Sequence, residues 1–188
     1  MIDNLHSLRP CIGVACLYAD YKDQDNQTLV HILGTFLRQL LTTTQDPIPD
    51  EVIKKLHDIQ HKGRKVGFED NLALLKIRLH QLPKAFICID AVDELEPHVR
   101  RQLLDVLKEL GKENTRLFLT GRDYIENEVQ KRFQIIQGNK VIVSATQQGV
   151  EEFVWQKIEE DHDLNPDAMD EVLARDIVDT IATKSKGM

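Results

Sequence analysis

At 188 residues, with 41% hydrophobic and 29% charged residues, the chain has the length and balance of an ordinary globular domain with a sizeable core. A net charge of −7 argues against a role resting on nonspecific attraction to nucleic acid or to an anionic membrane. No apolar run approaches membrane-spanning length, and the opening MIDNLHSLRP lacks a signal-peptide core.

The first 10 residues read as an irregular lead closed by Pro10, and residues 11–188 as the folded part. Residues 11–18, CIGVACLY, form an apolar run rich in strand formers. The polar loop ADYKDQDNQT follows, with Asp25, Asn26 and Thr28 as candidate helix caps. Leu29, Ile32, Leu33, Phe36, Leu37, Leu40 and Leu41 then recur at helical spacing and predict an amphipathic helix. Pro49 and Asp50 open a second helix to about residue 60, before the basic, glycine-containing loop HKGRKVG. Phe68, Leu72, Leu75, Leu79 and Leu82 mark a third helix, ending at Pro83.

Residues 85–89, AFICI, are a short unbroken apolar run, the pattern of a strand buried on both faces. Pro97 sits in the first turn of the next helix, whose core face is Leu103, Leu104, Val106, Leu107 and Leu110, and Gly111 ends it. A third strand is expected at 116–120, RLFLT, then a short helix over 125–132, and a fourth strand at 140–144, KVIVS. Two helices close the chain, with Val150, Phe153, Val154 and Ile158 inward in one and Val172, Leu173, Ile177 and Ile181 inward in the other. Buried strands alternating with amphipathic helices predict a doubly wound α/β fold, a mainly parallel sheet with helices on both faces. The cysteines Cys11, Cys16 and Cys88 all lie in strand-like runs. An odd count there fits buried free thiols in a reducing compartment, hence a cytoplasmic location.

The central strand carries the chemistry. It ends on Asp90, with Asp93 and Glu94 three and four residues on. Carboxylates clustered at the C-terminal tip of a buried strand are costly without a cationic partner, and ligand sites of open α/β sheets lie at such tips. The plainer alternative is that Asp90 ends the strand and the other two acids favour the following helix start. Three other signals read more simply as structure. His57 and His61 stand at i, i+4 without the glutamate of a zinc helix. Asp161, Asp163 and Asn165 imitate a calcium loop, but Pro166 stands where glycine is required and Val172 where the glutamate belongs. Lys62, Arg64 and Lys65 read as a solvated loop, and Trp155 as packing.

Taken together, YADYKDQDNQT with HILGTFLRQLL, AFICIDAVDEL, RLFLTGRD and the helix beginning QQGVEEFVWQKIEE resemble the NACHT group of STAND P-loop NTPases, in particular the nucleotide-binding domain of fungal NACHT–ankyrin and nephrocystin-type proteins. The closing IATKSKGM is similar to the family's ADGMF stretch. The resemblance implies that Asp90 is the Walker B acid holding Mg²⁺ through water. It implies that Asp93 and Glu94 position and deprotonate an attacking water, and that Arg122 is the sensor arginine near the γ-phosphate. Ala91 matches the small residue that lets a nucleotide or partner come close. The implied cofactors are Mg²⁺ with ATP or GTP. The implied behaviour is nucleotide-driven self-association with protein partners, without nucleic acid or membrane.

Two departures stand out. Gly121 occupies the family's usual serine position, which is expected to loosen the arginine's backbone. No G-x-x-x-x-G-K-[ST] occurs: Gly111-Lys112 has Val106 where the first glycine belongs and Glu113 in place of Ser/Thr. By the resemblance the phosphate-binding loop and its strand would precede Met1, leaving the strands RLFLT and KVIVS with no neighbour between them. A gapped or rearranged sheet is therefore expected, each unpaired buried backbone group costing on the order of 1–3 kcal/mol. Three readings follow. The chain is a partial NACHT-type NTPase switch without catalysis of its own, a non-enzymatic interaction remnant of that fold, or, least favoured, a Mg²⁺-dependent phosphoester hydrolase using the three acids alone.

Overall fold

The computed structural model describes residues 12–42, 47–111, 114–133, 139–143, 146–164 and 169–185. It divides into two compact units, Met1–Gln134 and Ile135–Met188.

In the first unit β1 (Ile12–Tyr18) is followed by α1 (Leu29–Thr42), α2 (Asp50–His61) and α3 (Phe68–Gln81). Then come β2 (Lys84–Asp90), α4 (Pro97–Leu110), β3 (Thr115–Leu119) and the short α5 (Glu126–Arg132). The strands form one parallel sheet in the order β1-β2-β3. Parallel neighbours need crossover connections, and the helices supply them.

Register divides the sheet into two faces, because successive side chains alternate. Ala15 opposite Ile87 opposite Leu117, and Leu17 opposite Ile89 opposite Leu119, point to one side. These residues, with Ala85, belong to or pack against the hydrophobic core, together with Phe36, Leu40, Leu75, Leu103, Leu104 and Leu107 from α1, α3 and α4. Each such side chain removed from water contributes about 1.5–3 kcal/mol, which is what holds the helices to the sheet. Gly13 lies on this side, where an added Cβ would sit 2.5 Å from Leu82 Cδ1 and 2.9 Å from Leu40 Cδ2. Its missing side chain lets α1 and the α3–β2 connection close over β1.

The opposite side carries the rows Val14–Phe86–Arg116 and Cys16–Cys88–Phe118. None of these residues is in the core cluster. Val14 is buried, Phe86, Cys16 and Cys88 are half-buried, and Phe118 is exposed. The expectation of helices packed over both faces is not met by the core cluster of the first unit, which lies on one face, although Val14 on the other face is also buried.

The outer edge of β1 is closed by a side chain. Gln39 Nε2 donates to the Cys16 carbonyl at 2.9 Å and Gln39 Oε1 accepts from the Cys16 N–H at 2.6 Å. The amide so imitates one residue of a neighbouring strand. At the other edge no strand pairs with the far side of β3 among the described residues. The fourth strand expected at 140–144 is a second correction. Residues 139–143 take no strand form, and Val141, Ile142 and Val143 are exposed. Ser144 lies outside the described residues. A strand exists by its ladder, so an apolar run without a neighbour to bond has nothing to hold it extended. Among the described residues the sheet has three contiguous parallel strands.

In the second unit α6 (Gln147–Leu164) and α7 (Glu171–Lys184) pack together. Asp170 caps α7, its Oδ1 accepting from the Leu173 N–H at 2.7 Å. The face of α7 that is buried is Ala174, Val178 and Ala182, while Val172, Leu173 and Ile181 are exposed. This overturns the expected inward face, with only Ile177 of the expected set part-buried. In α6, Val154 is buried as expected but Phe153 is exposed. Small side chains at i, i+4 and i+8 allow close approach of a neighbouring helix, and the larger apolar groups are displaced to the outside.

Candidate functional site

The tips of β2 and β3 are laced together by backbone and side chain. The Thr120 N–H donates to the Ile89 carbonyl at 2.9 Å, and the Val92 N–H donates to the Thr120 carbonyl at 2.9 Å. The Thr120 hydroxyl accepts from the Ala91 N–H at 2.9 Å and donates to Asp90 Oδ1. The tip of β1 joins through the Ala19 N–H, which donates to the Asp90 carbonyl at 3.0 Å.

Ala91 sits in the left-handed region at φ 52° and ψ 46°, the one non-glycine residue with positive φ among the described residues. That conformation costs an L-residue about 1–2 kcal/mol. It breaks the line of β2 so that residues 92–94 can turn as a 3₁₀ helix under the tip of β3.

The turn separates the three acids. Asp90 stays exposed at the end of β2. Asp93 is buried, and Oδ1 accepts from the Arg122 N–H at 3.3 Å. Its Oδ2 accepts from the Tyr124 hydroxyl at 3.2 Å and lies 3.6 Å from Arg122 Nε. Partial desolvation, then the negative charge of Asp93, pushes the Tyr124 phenol above its ordinary pKa. Glu94 turns to the loop after β1: Oε2 accepts from the Tyr21 N–H at 3.3 Å, while Gln24 Nε2 donates to the Glu94 carbonyl at 2.9 Å. Tyr21, Gln24, Asp93, Glu94, Arg122 and Tyr124 line one open cleft of about 250 Å³. The Arg122 side chain is 74% exposed, so one flank of its guanidinium meets Asp93 and the rest faces solvent.

Arg100 supports this cleft from beneath. It is buried, its Nη1 donates to the carbonyls of Asp93 at 3.3 Å and Leu95 at 3.2 Å, and its Nε and Nη2 donate to Glu128 at 3.2 and 3.1 Å. Gly121 is tightly packed, since an added Cβ would stand 2.6 Å from Ile125 Cδ1, 3.2 Å from Val92 Cγ1 and 3.3 Å from Asp93 Oδ1. The expected loosening at this position is corrected: the missing side chain lets the strand tip close onto Val92 and Asp93.

Of the four site residues expected from sequence, Asp93 and Arg122 are brought into contact, and Glu94 shares their cleft. Asp90 stands beside them, joined through Thr120. Sequence reasoning gave no role to Thr120, Tyr124 or Arg100. The first had a readable signal, because it follows β3 one residue beyond the register that pairs Ile89 with Leu119. Arg100 also had one, since it lies on the stripe of Leu103, Leu104 and Leu107.

A second cleft, about 460 Å³, is lined by Lys54, Lys55, Lys62 and Arg64 with Glu51, Asp58 and Asp70. Here Arg64 forks onto both Asp70 oxygens, and Asp70 also accepts from the Gly67 N–H at 3.0 Å. Its carboxyl is pulled down to about 2, chiefly by Arg64. Arg64 of the basic loop is thus spent on fastening the start of α3. His57 and His61 are both exposed.

The family description "Nephrocystin 3, N-terminal" matches residues 1–122. The chain belongs to this nephrocystin 3 N-terminal family. The match takes in all three strands, the acids after β2 and, as its last residue, Arg122. No curated protein and no solved structure matches the chain.

Proposed function

We propose that the first unit is the magnesium-and-sensor half of a NACHT-type nucleoside-triphosphate switch, and that alone it recognises a Mg²⁺-bound triphosphate without hydrolysing it. The observation that carries this reading is the cleft itself. Asp93 of the β2 turn and Arg122 of the β3 tip share it, in a chain whose family match ends on that arginine.

The residues suit a metal ion that arrives with its own ligands. Among the described residues no group of three or more His, Cys, Asp or Glu side chains stands together to cage a metal. Mg²⁺ commonly takes one or two carboxylates and fills its remaining positions with water and phosphate oxygens. Asp90, exposed and oriented by the Thr120 hydroxyl, suits that role. Bound there, the ion would neutralise phosphate charge. Arg122 can offer its solvent-facing flank to a terminal phosphate, and Tyr21 and Tyr124 flank the cleft. Asp93 is already engaged by the Arg122 N–H, the Tyr124 hydroxyl and the guanidinium, so it acts as a strut linking the two tips and is poorly placed to take a proton from water. The sequence has no glycine-rich amide cradle, so the phosphates lack the groups that usually provide most of their affinity.

Titration of the full chain with ATP and GTP, each with and without Mg²⁺ and against the diphosphates, tests the reading. Weak, saturable, Mg²⁺-dependent binding of a triphosphate is expected. Arg122→Ala and Asp90→Asn should each weaken it about tenfold or more, the equivalent of about 1.4 kcal/mol. Phosphate release should stay at background. Binding that ignores both substitutions would overturn the assignment. A second reading, a nucleotide-independent interaction module, is favoured by the exposed run Val141, Ile142 and Val143, and total silence toward nucleotides would support it.

A further inference from the structure

Cys16 of β1 and Cys88 of β2 are register partners in adjacent parallel strands. Both therefore point to the face of the sheet that carries no core, in the row completed by the exposed Phe118. Both are free thiols and both are half-buried, reachable by a small reagent without unfolding. Neighbouring strands run about 4.7–4.9 Å apart, and a disulfide spans Cα atoms about 4.4–6.8 Å apart. The strand spacing thus brings the pair within the Cα range that a disulfide spans.

We propose that Cys16 and Cys88 form a cross-strand dithiol that closes to an intramolecular disulfide on meeting a small disulfide oxidant. The bond would staple β1 to β2 two residues below Tyr18 and Asp90. The reaction balances as two exchanges. The Cys88 sulfur, losing its proton, attacks the S–S bond of the oxidant, forming a mixed disulfide and releasing one thiolate. The Cys16 sulfur, losing its proton, attacks the Cys88 sulfur, closing the protein disulfide and releasing the second thiolate. The protein loses two hydrogens and the oxidant is reduced to two thiols.

The two exchanges give the same product whichever thiol attacks first. Burial pushes both thiols up, Cys16 to about 11. Both thiols stay protonated near neutrality, so the pair persists reduced until an oxidant is present. Nothing in this inference depends on nucleotide recognition.

The test is oxidation of the folded chain with oxidised glutathione, quenching in acid, and alkylation under denaturing conditions. The unaltered chain, which has three cysteines, should take up one alkyl group instead of three and run as a monomer. Cys11 and Cys16 share the tryptic peptide 1–22, so Cys11→Ser is used for mapping. Peptides 1–22 and 85–100 should then appear joined, lighter by two hydrogens, and part on reduction. The joined form should fall sharply when oxidation is done in urea. Three results would overturn the proposal. They are full alkylation of both cysteines after an exposure that oxidises a dithiol control, recovery of each cysteine as a separate glutathione adduct, and linkage only between two chains. If Cys11→Ser does not fold, Cys16→Ser and Cys88→Ser in the unaltered background should each take up two alkyl groups after the same oxidation, and uptake of none by either would overturn the pairing.

Discussion

In α4, Leu103, Leu104 and Leu107 are sealed into the core, while in α7 Val172, Leu173 and Ile181 stay in solvent. Both helices are 14 residues long, and both look amphipathic in sequence. What differs is what lies opposite. In the first unit a three-stranded sheet and several helices offer a surface wide enough to receive leucine and phenylalanine stripes. In the second, α7 packs on α6, and its buried residues are only Ala174, Val178 and Ala182. A stripe in sequence states a capacity for burial, and the facing surface decides which residues use it.

The largest way to break this contrast is Phe36→Ala, which empties a fully buried site in α1. A loss of about 3–5 kcal/mol is expected in urea unfolding followed by circular dichroism. Arg100→Ala comes next. It strands the half-buried carboxylate of Glu128 and strips two carbonyls under the cleft, so about 3 kcal/mol should be lost. A loss below about 1 kcal/mol would mean that Arg101 and Arg132, also near Glu128, take over the pairing. Ala91→Gly sharpens the picture in the other direction. Removing the Cβ at φ 52° should relieve strain and raise stability by up to about 1 kcal/mol. The smallest effect is expected in α7, where Leu173→Ala should stay within about 0.5 kcal/mol because the side chain is already exposed. A cost there comparable to that of Phe36→Ala would show that this face is covered in solution.

Much of the first unit was legible. The apolar runs ending at Tyr18 and Asp90 are strands, Pro97 opens α4 and Gly111 follows its last residue, and the short helix ending at Arg132 is present. These are local signals, set by periodicity, proline and glycine. The segment at 140–143 failed because its β-forming residues say nothing about whether a neighbour is there to bond. The one-sidedness of the core was not legible for a related reason, since Cys16, Cys88 and Phe86 are apolar enough for either environment. At the site, the residue types announced a cluster. They did not announce that Asp93 would be consumed by Arg122 and Tyr124 while Asp90 stayed open. That division comes from the left-handed turn at Ala91, a conformation alanine does not advertise.

The central claim is that the tips of β2 and β3 respond together to a magnesium-bound triphosphate. The most direct measurement is the amide nitrogen–proton spectrum of the full chain as Mg²⁺ and a non-hydrolysable triphosphate are added. The account predicts saturable shifts concentrated at Ala91, Val92, Thr120, Gly121 and Arg122, absent with the nucleotide alone and lost in Asp90→Asn. Shifts scattered over the surface, or centred on the lysines lining the cleft at α2, would contradict it.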